Sequence, residues 1–134
     1  MLKNIQTEIF IKIISNGSCQ NQNYQGILQQ SNNLTRISYD EIYEGEGVQT
    51  AFSLLTDNSL RIVKKGAYSY TLELKKGEKT PLSLNYGAFS VDYLCDTKEV
   101  KFTIKNNQIE VYAHYLLISG GEKSSTKIYL TAKF

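Results

Sequence analysis

The sequence predicts one all-β domain over residues 1–134, a single antiparallel meander β-barrel of eight to ten strands. Three observations carry this. Apolar residues sit on alternate positions in segment after segment, the pattern of a strand with one buried face, because successive side chains leave a pleat on opposite sides. The segments recur about every 8–12 residues, separated by short turn signals, which is the spacing of sandwiches and barrels. No stretch shows a convincing helical period. Short turns joining sequential strands favour a meander, and a twisted meander this long tends to close on itself and remove its edges.

The alternation is clearest in residues 60–74, where Leu60, Ile62, Tyr68, Tyr70, Leu72 and Leu74 share a phase. A three-residue loop at Lys64-Lys65-Gly66, with Gly66 left-handed, would set Ile62 beside Tyr68 and Leu60 beside Tyr70. One long strand bent at Gly66 would keep the same phase.

From the start, Ile5, Thr7, Ile9, Ile11 and Ile13 alternate with Gln6, Glu8, Phe10, Lys12 and Ile14 as a long first strand. Residues 15–23, with Asn16-Gly17, supply turn chemistry. Residues 24–29 read as a weak polar strand, with Gly26 marking a bulge or bend, lying at an edge or across one end of the barrel. Residues 34–43 are the next strand, and residues 44–47 turn into a strand carrying Val48, Thr50, Phe52 and Leu54. Turns at 56–59 and 75–79 bracket the 60–74 unit. Leu82 and Leu84 follow; Phe89, Val91, Tyr93 and Cys95 form one strand, and Val100, Phe102 and Ile104 another. Asn106-Asn107 and Gly120-Gly121 are turns around Ile109–Leu117, and Ile128, Leu130, Ala132 and Phe134 end the chain in a last strand.

The bulk composition sets limits on function. A hydrophobic share of 41% and a charged share of 21% describe a globular chain. The net charge of +2 is too small to imply a nucleic-acid or acidic-membrane partner by itself. It is unevenly placed: residues 1–60 carry net −3 and residues 61–134 net +5. Strands from both halves mix in a closed sheet, so this need not survive as a patch. Cys19 and Cys95 make no metal or redox spacing, and Cys95 reads as a buried thiol. Glu8 and Lys12 interrupt any signal-peptide core, and no apolar run reaches membrane-spanning length. The cytoplasm is the expected location.

Ile37-Ser38-Tyr39-Asp40-Glu41, and the chain from Leu60 onward, resemble the bacterial YwiB-like family, a domain of unknown function. The family pattern corresponds here to Ser38, Tyr39 and Glu41, then Thr50, then Lys64 and Gly66, then Tyr86 and Gly87, then Thr97. The resemblance spans nearly the whole chain, most clearly residues 34–118. It implies a calycin-type, lipocalin-like β-barrel with an interior pocket, and no established activity. Lys64 stands where the pattern favours Arg, which loses bidentate geometry. Leu82 and Leu84 stand where it has Tyr and Thr. With no Trp, the chain also lacks the Gly-x-Trp mark of lipocalins.

The candidate ligand-binding residues are Tyr39, Glu41, Lys64, Tyr68 and Tyr86. Glu41 shares a phase with Ile37 and Tyr39, and Lys64 with Leu60 and Ile62. An inward Glu–Lys pair near a barrel mouth would orient a polar ligand or act as acid and base. The alternative is a structural ion pair where a strand leaves the core. The tyrosines on apolar phases either line a cavity or fill a solid core. His114 stands alone, with no second ligand at metal-binding spacing. The lysines at 64, 65, 75, 76 and 79 cluster at turns, where solvation explains them better than nucleic-acid binding does. No catalytic residue, metal or cofactor is expected. The expected function is a non-enzymatic module holding a small, partly apolar ligand in the barrel. The other option is a filled barrel that meets a protein partner through its outer surface.

Overall fold

The computed structural model describes residues 3–134 as ten strands: β1 (Lys3–Ser15), β2 (Ser18–Gln30), β3 (Leu34–Tyr43), β4 (Glu46–Leu55), β5 (Leu60–Gly66), β6 (Tyr70–Leu74), β7 (Lys79–Tyr86), β8 (Phe89–Ile104), β9 (Gln108–Ser119) and β10 (Glu122–Lys133). Each strand pairs antiparallel with its neighbour in the chain, except across one seam, and β1 pairs with β10. The seam lies between β6 and β7. There Ser69 and Asn85 exchange two backbone hydrogen bonds of 2.9 Å, and the Thr80 hydroxyl donates to the Glu73 carbonyl at 3.0 Å. The result is a nearly closed meander barrel.

The turns follow from local chemistry. Asn16-Gly17 takes φ values of +50° and +85°, the mirror-image turn whose twist matches the flanking strands, and it closes β1 on β2 over thirteen cross-strand pairs. Inward-facing Ile9, Leu28, Ile37, Phe52, Leu72 and Leu130 are almost wholly buried and form one continuous core. That core fills the half of the barrel nearer the turns at 56–59 and 105–107. Toward the opposite end, at the Asn16-Gly17 and Gly120-Gly121 turns, inward positions grow partly exposed.

Three local expectations are corrected. Five residues, 65–69, separate the last cross-strand partners of β5 and β6 where three were expected, so Ile62 faces Leu72, Leu60 faces Leu74 and Lys64 faces Tyr70. Residues 18–23 are strand rather than turn, and β2 runs between β1 and β3 instead of lying across an end. Its pairing with β3 stops at Gly26, so residues 18–25 have a partner only in β1. The two strands read from Phe89 and from Val100 are one strand, β8, with a bulge between Thr97 and Glu99. The bulge inserts a residue, so the inward phase passes from odd to even numbers, as from Cys95 to Val100.

Candidate functional site

Register builds the site. Gly26, Tyr39, Thr50, Lys64 and Tyr70 are successive cross-strand partners over β2 to β6, so five inward positions meet in one row around the wall. Glu41 is two residues beyond Tyr39 on the same face of β3, diagonal to Thr50, within reach of the centre of the row.

Gly26 makes this packing feasible. A Cβ there would stand 2.3 Å from the Ser38 carbonyl oxygen and 2.5 Å from the Ile9 Cδ1. With no side chain at 26, Tyr24 lies against Tyr39, ring centroids 4.5 Å apart and nearly parallel.

Lys64 Nζ donates to Glu41 Oε2 at 2.5 Å, and Thr50 Oγ1 donates to the same oxygen at 2.9 Å. The Tyr24 hydroxyl lies 3.3 Å from the other carboxylate oxygen and also contacts the Gln22 side-chain oxygen. The Lys64 and Glu41 side chains are 11% and 14% exposed, so this is a mostly buried ion pair. Both carboxylate oxygens already accept hydrogen bonds, which positions the lysine more than it frees a base. Lys64 Nζ also lies 5.9 Å from the Tyr68 ring centroid.

Beside this group, inside the barrel, lies a cavity of about 230 Å³. Tyr39, Lys64, Tyr68, Tyr70 and Tyr115 line it, with Phe52 and several isoleucines behind them. The Tyr39 hydroxyl is buried, and among the described residues it has no hydrogen-bond partner. Burial, and then the nearby Glu41 carboxylate, hold the Tyr39 phenol far above the ordinary range. The same two causes push Tyr24 up to about 12. Burial also raises Tyr70 and Tyr115. All four stay protonated donors at neutral pH.

Of the five residues singled out from the sequence, Tyr39, Lys64 and Tyr68 line the cavity, and Glu41 holds Lys64 from behind. Tyr86 stands apart on the rim. It is 43% exposed, donates to Glu44 Oε2 at 2.9 Å and meets Tyr43 edge to face. Tyr24 belongs to the site and was missed. Thr50, matched to the family pattern but not singled out as a site residue, joins it, and Tyr70 and Tyr115, read as tyrosines that either line a cavity or fill a core, line the cavity. The signal available for Thr50 was a polar residue on the inward phase between Val48 and Phe52. Tyr24 had none, because its environment is made by the Gly26 gap.

A larger groove, about 740 Å³, runs over the outer face of β2 to β5. Small residues, Ser38 and Ala51, floor it, and Arg36, Asp40, Arg61 and Lys65 border it. Arg61 is already paired with Glu73 at 2.7 Å, and the two signs of charge are mixed. The interior cavity is smaller, but of the two it is the one with aromatic walls beside a mostly buried ammonium and a buried hydroxyl that has no partner among the described residues.

No curated protein matches the chain. The crystal structure of the ywiB protein from Bacillus subtilis superposes on it with a TM-score of 0.78, covering 98% of this chain and 92% of that one. At 14% identity this likeness speaks for the fold alone. The resemblance read from Ser38, Tyr39, Glu41 and the segments that follow is upheld: residues 5–130 match the domain of unknown function DUF1934, and the chain belongs to that family.

Proposed function

We propose that the protein is a non-enzymatic cytoplasmic binding module that holds a small, partly apolar ligand in the barrel interior. The observation that carries this is the cavity, whose wall includes Tyr39, together with the buried Tyr39 hydroxyl that has no partner among the described residues. An interior filled by its own side chains would leave no such space, and a buried hydroxyl without a partner loses about 1–3 kcal/mol to desolvation that a ligand acceptor would restore. The volume suits one or two rings, since a cavity of about 150 Å³ holds benzene. Lys64 supplies a cation for a carboxylate or another electron-rich group, and the tyrosine rings supply flat walls. A role in retention rather than reaction fits Glu41, whose oxygens are occupied. The unpaired thiols, exposed Cys19 and buried Cys95, suit a reducing compartment.

The test is native mass spectrometry of protein purified from its own host, wild type against the double variant Glu41→Gln with Lys64→Met. That variant removes both charges together and so avoids stranding one of them. The expected result is a retained small molecule in the wild type and its loss in the variant, which still unfolds cooperatively and melts as the ligand-stripped wild type does. Apo protein alone in both, or equal retention in both, contradicts the proposal.

A further inference from the structure

The outer face opposite the Arg36 groove gathers residues that are far apart in sequence. Register sets Lys12 of β1 beside Tyr129 of β10, Tyr129 beside Tyr112 of β9, and Tyr112 beside Lys101 of β8. In the adjacent row Phe10 faces Thr131, and on the other side Lys127 faces His114. Phe10 and Tyr129 are 36% and 42% exposed although each is a large ring. The Tyr112 and Tyr129 centroids are 4.9 Å apart, and Phe10 lies in the neighbouring row, so three rings form an aromatic strip.

The lysines around this strip are uncommitted. Among the described residues, none of Lys12, Lys101, Lys127 and Lys133 is in an ion pair, whereas six pairs form between other residues. Lys12 and Lys133 instead rest over rings, 5.8 Å from the Tyr129 centroid and 5.4 Å from the Phe10 centroid. The acids nearest the strip are Glu8, beside Lys133, and Glu110, which accepts from Gln108 at 2.7 Å; farther along β8, Asp96 is paired with Lys98 at 3.0 Å and Asp92 accepts from Ser83 at 2.6 Å. Glu99 is taken by Lys76 at 3.2 Å. Positive charge therefore exceeds negative around an exposed aromatic strip.

We propose that the outer face of β1, β10, β9 and β8 binds single-stranded nucleic acid. Bases stack on Phe10, Tyr129 and Tyr112, while Lys12, Lys101, Lys127 and Lys133 contact phosphates. Every base has a flat face that stacks on an aromatic ring, and phosphates spaced along a flexible strand meet ammoniums spaced around it. The resting contacts of Lys12 and Lys133 with ring faces are cation–π contacts of low strength at an exposed site, so both side chains can turn to a phosphate at small cost. The sequence pointed away from nucleic acid because it shows only the turn lysines as a cluster. The lysines that matter here come from three strands and are joined by pairing alone.

The test uses fluorescence anisotropy of labelled oligouridylate and oligothymidylate with the full chain, and phosphatidylserine vesicles as a second anionic surface. The expected result is saturable oligonucleotide binding in the range of about 1–100 µM, weakening with salt along a log–log slope of about 2–3, as release of counterions from four phosphates on a single strand requires. Tyr129→Ala weakens it by about five-fold or more. The pair Lys12→Gln with Lys127→Gln lowers the salt slope by about 1.4. The opposite-face pair Arg36→Gln with Lys65→Gln leaves both unchanged. All variants should melt as the wild type does. Binding weaker than about 100 µM at low salt, equal weakening by the opposite-face pair, indifference to Tyr129→Ala, or capture by vesicles alone would overturn the proposal.

Discussion

At the scale of single residues, Tyr39 and the Glu41–Lys64 pair pull stability and binding in opposite directions. Tyr39 packs as core, at 4% exposure, yet its hydroxyl has no partner among the described residues. Tyr39→Phe is therefore expected to raise the unfolding free energy by about 1 kcal/mol while weakening ligand retention. A urea melt checks the first half; a loss of 1 kcal/mol or more would mean the hydroxyl is satisfied inside the protein. Glu41→Ala behaves differently. It strands the Lys64 ammonium in a mostly buried setting and should cost about 3–5 kcal/mol, whereas Glu41→Gln with Lys64→Met should be nearly neutral. Equal losses in the two would show that the pair is solvated. The phase of Glu41 and Lys64 could be read from sequence, and so could their approach to one another. That Tyr24 would close over them could not, because it depends on the space left at Gly26 on its own strand, which becomes visible only when β2, β3 and β1 pack together.

Among elements, β6 and β7 form the weakest join. Every other neighbouring pair shares a ladder of at least five residues, while this seam has one isolated bridge and a side-chain bond. Few hydrogen bonds hold the seam closed, so amide hydrogen exchange measured by NMR should find Ser69 and Asn85 much less protected than the β1–β10 ladder around Ile9 and Leu130. Matched protection would mean that the barrel opens as a unit. The strands themselves were legible because alternation survives in the sequence. Their joints were less so, each for a definite reason. A three-residue and a five-residue loop preserve the same parity, so the β5–β6 register was not written in the phase. A bulge and a strand break shift the phase alike, so β8 looked like two strands between Cys95 and Val100. Residues 18–23 are exposed on both faces, and without a buried face no apolar alternation marks them as strand.

For the molecule as a whole, buried phenols link stability to alkaline pH. Tyr39, Tyr70 and Tyr115 have native values raised chiefly by burial. Above pH 10 the unfolded chain loses those protons while the native barrel keeps them, so stability falls as pH rises, by up to about 1.4 kcal/mol per pH unit for each tyrosine. Urea melts between pH 8 and pH 11 should be level up to roughly pH 9 and then decline steeply. Stability that stays level through pH 11 would contradict the burial of these rings.

A barrel that keeps one hydroxyl and one ammonium beside an interior space is organised to hold something there. The most direct measurement is a crystal structure of the protein soaked with benzoate, a one-ring carboxylate. The ring is expected between Tyr39 and Tyr68, with its carboxylate within about 3 Å of Lys64 Nζ and the Tyr39 hydroxyl. Benzoate bound only outside the barrel, with the interior closed by side chains or holding water alone, would contradict the account.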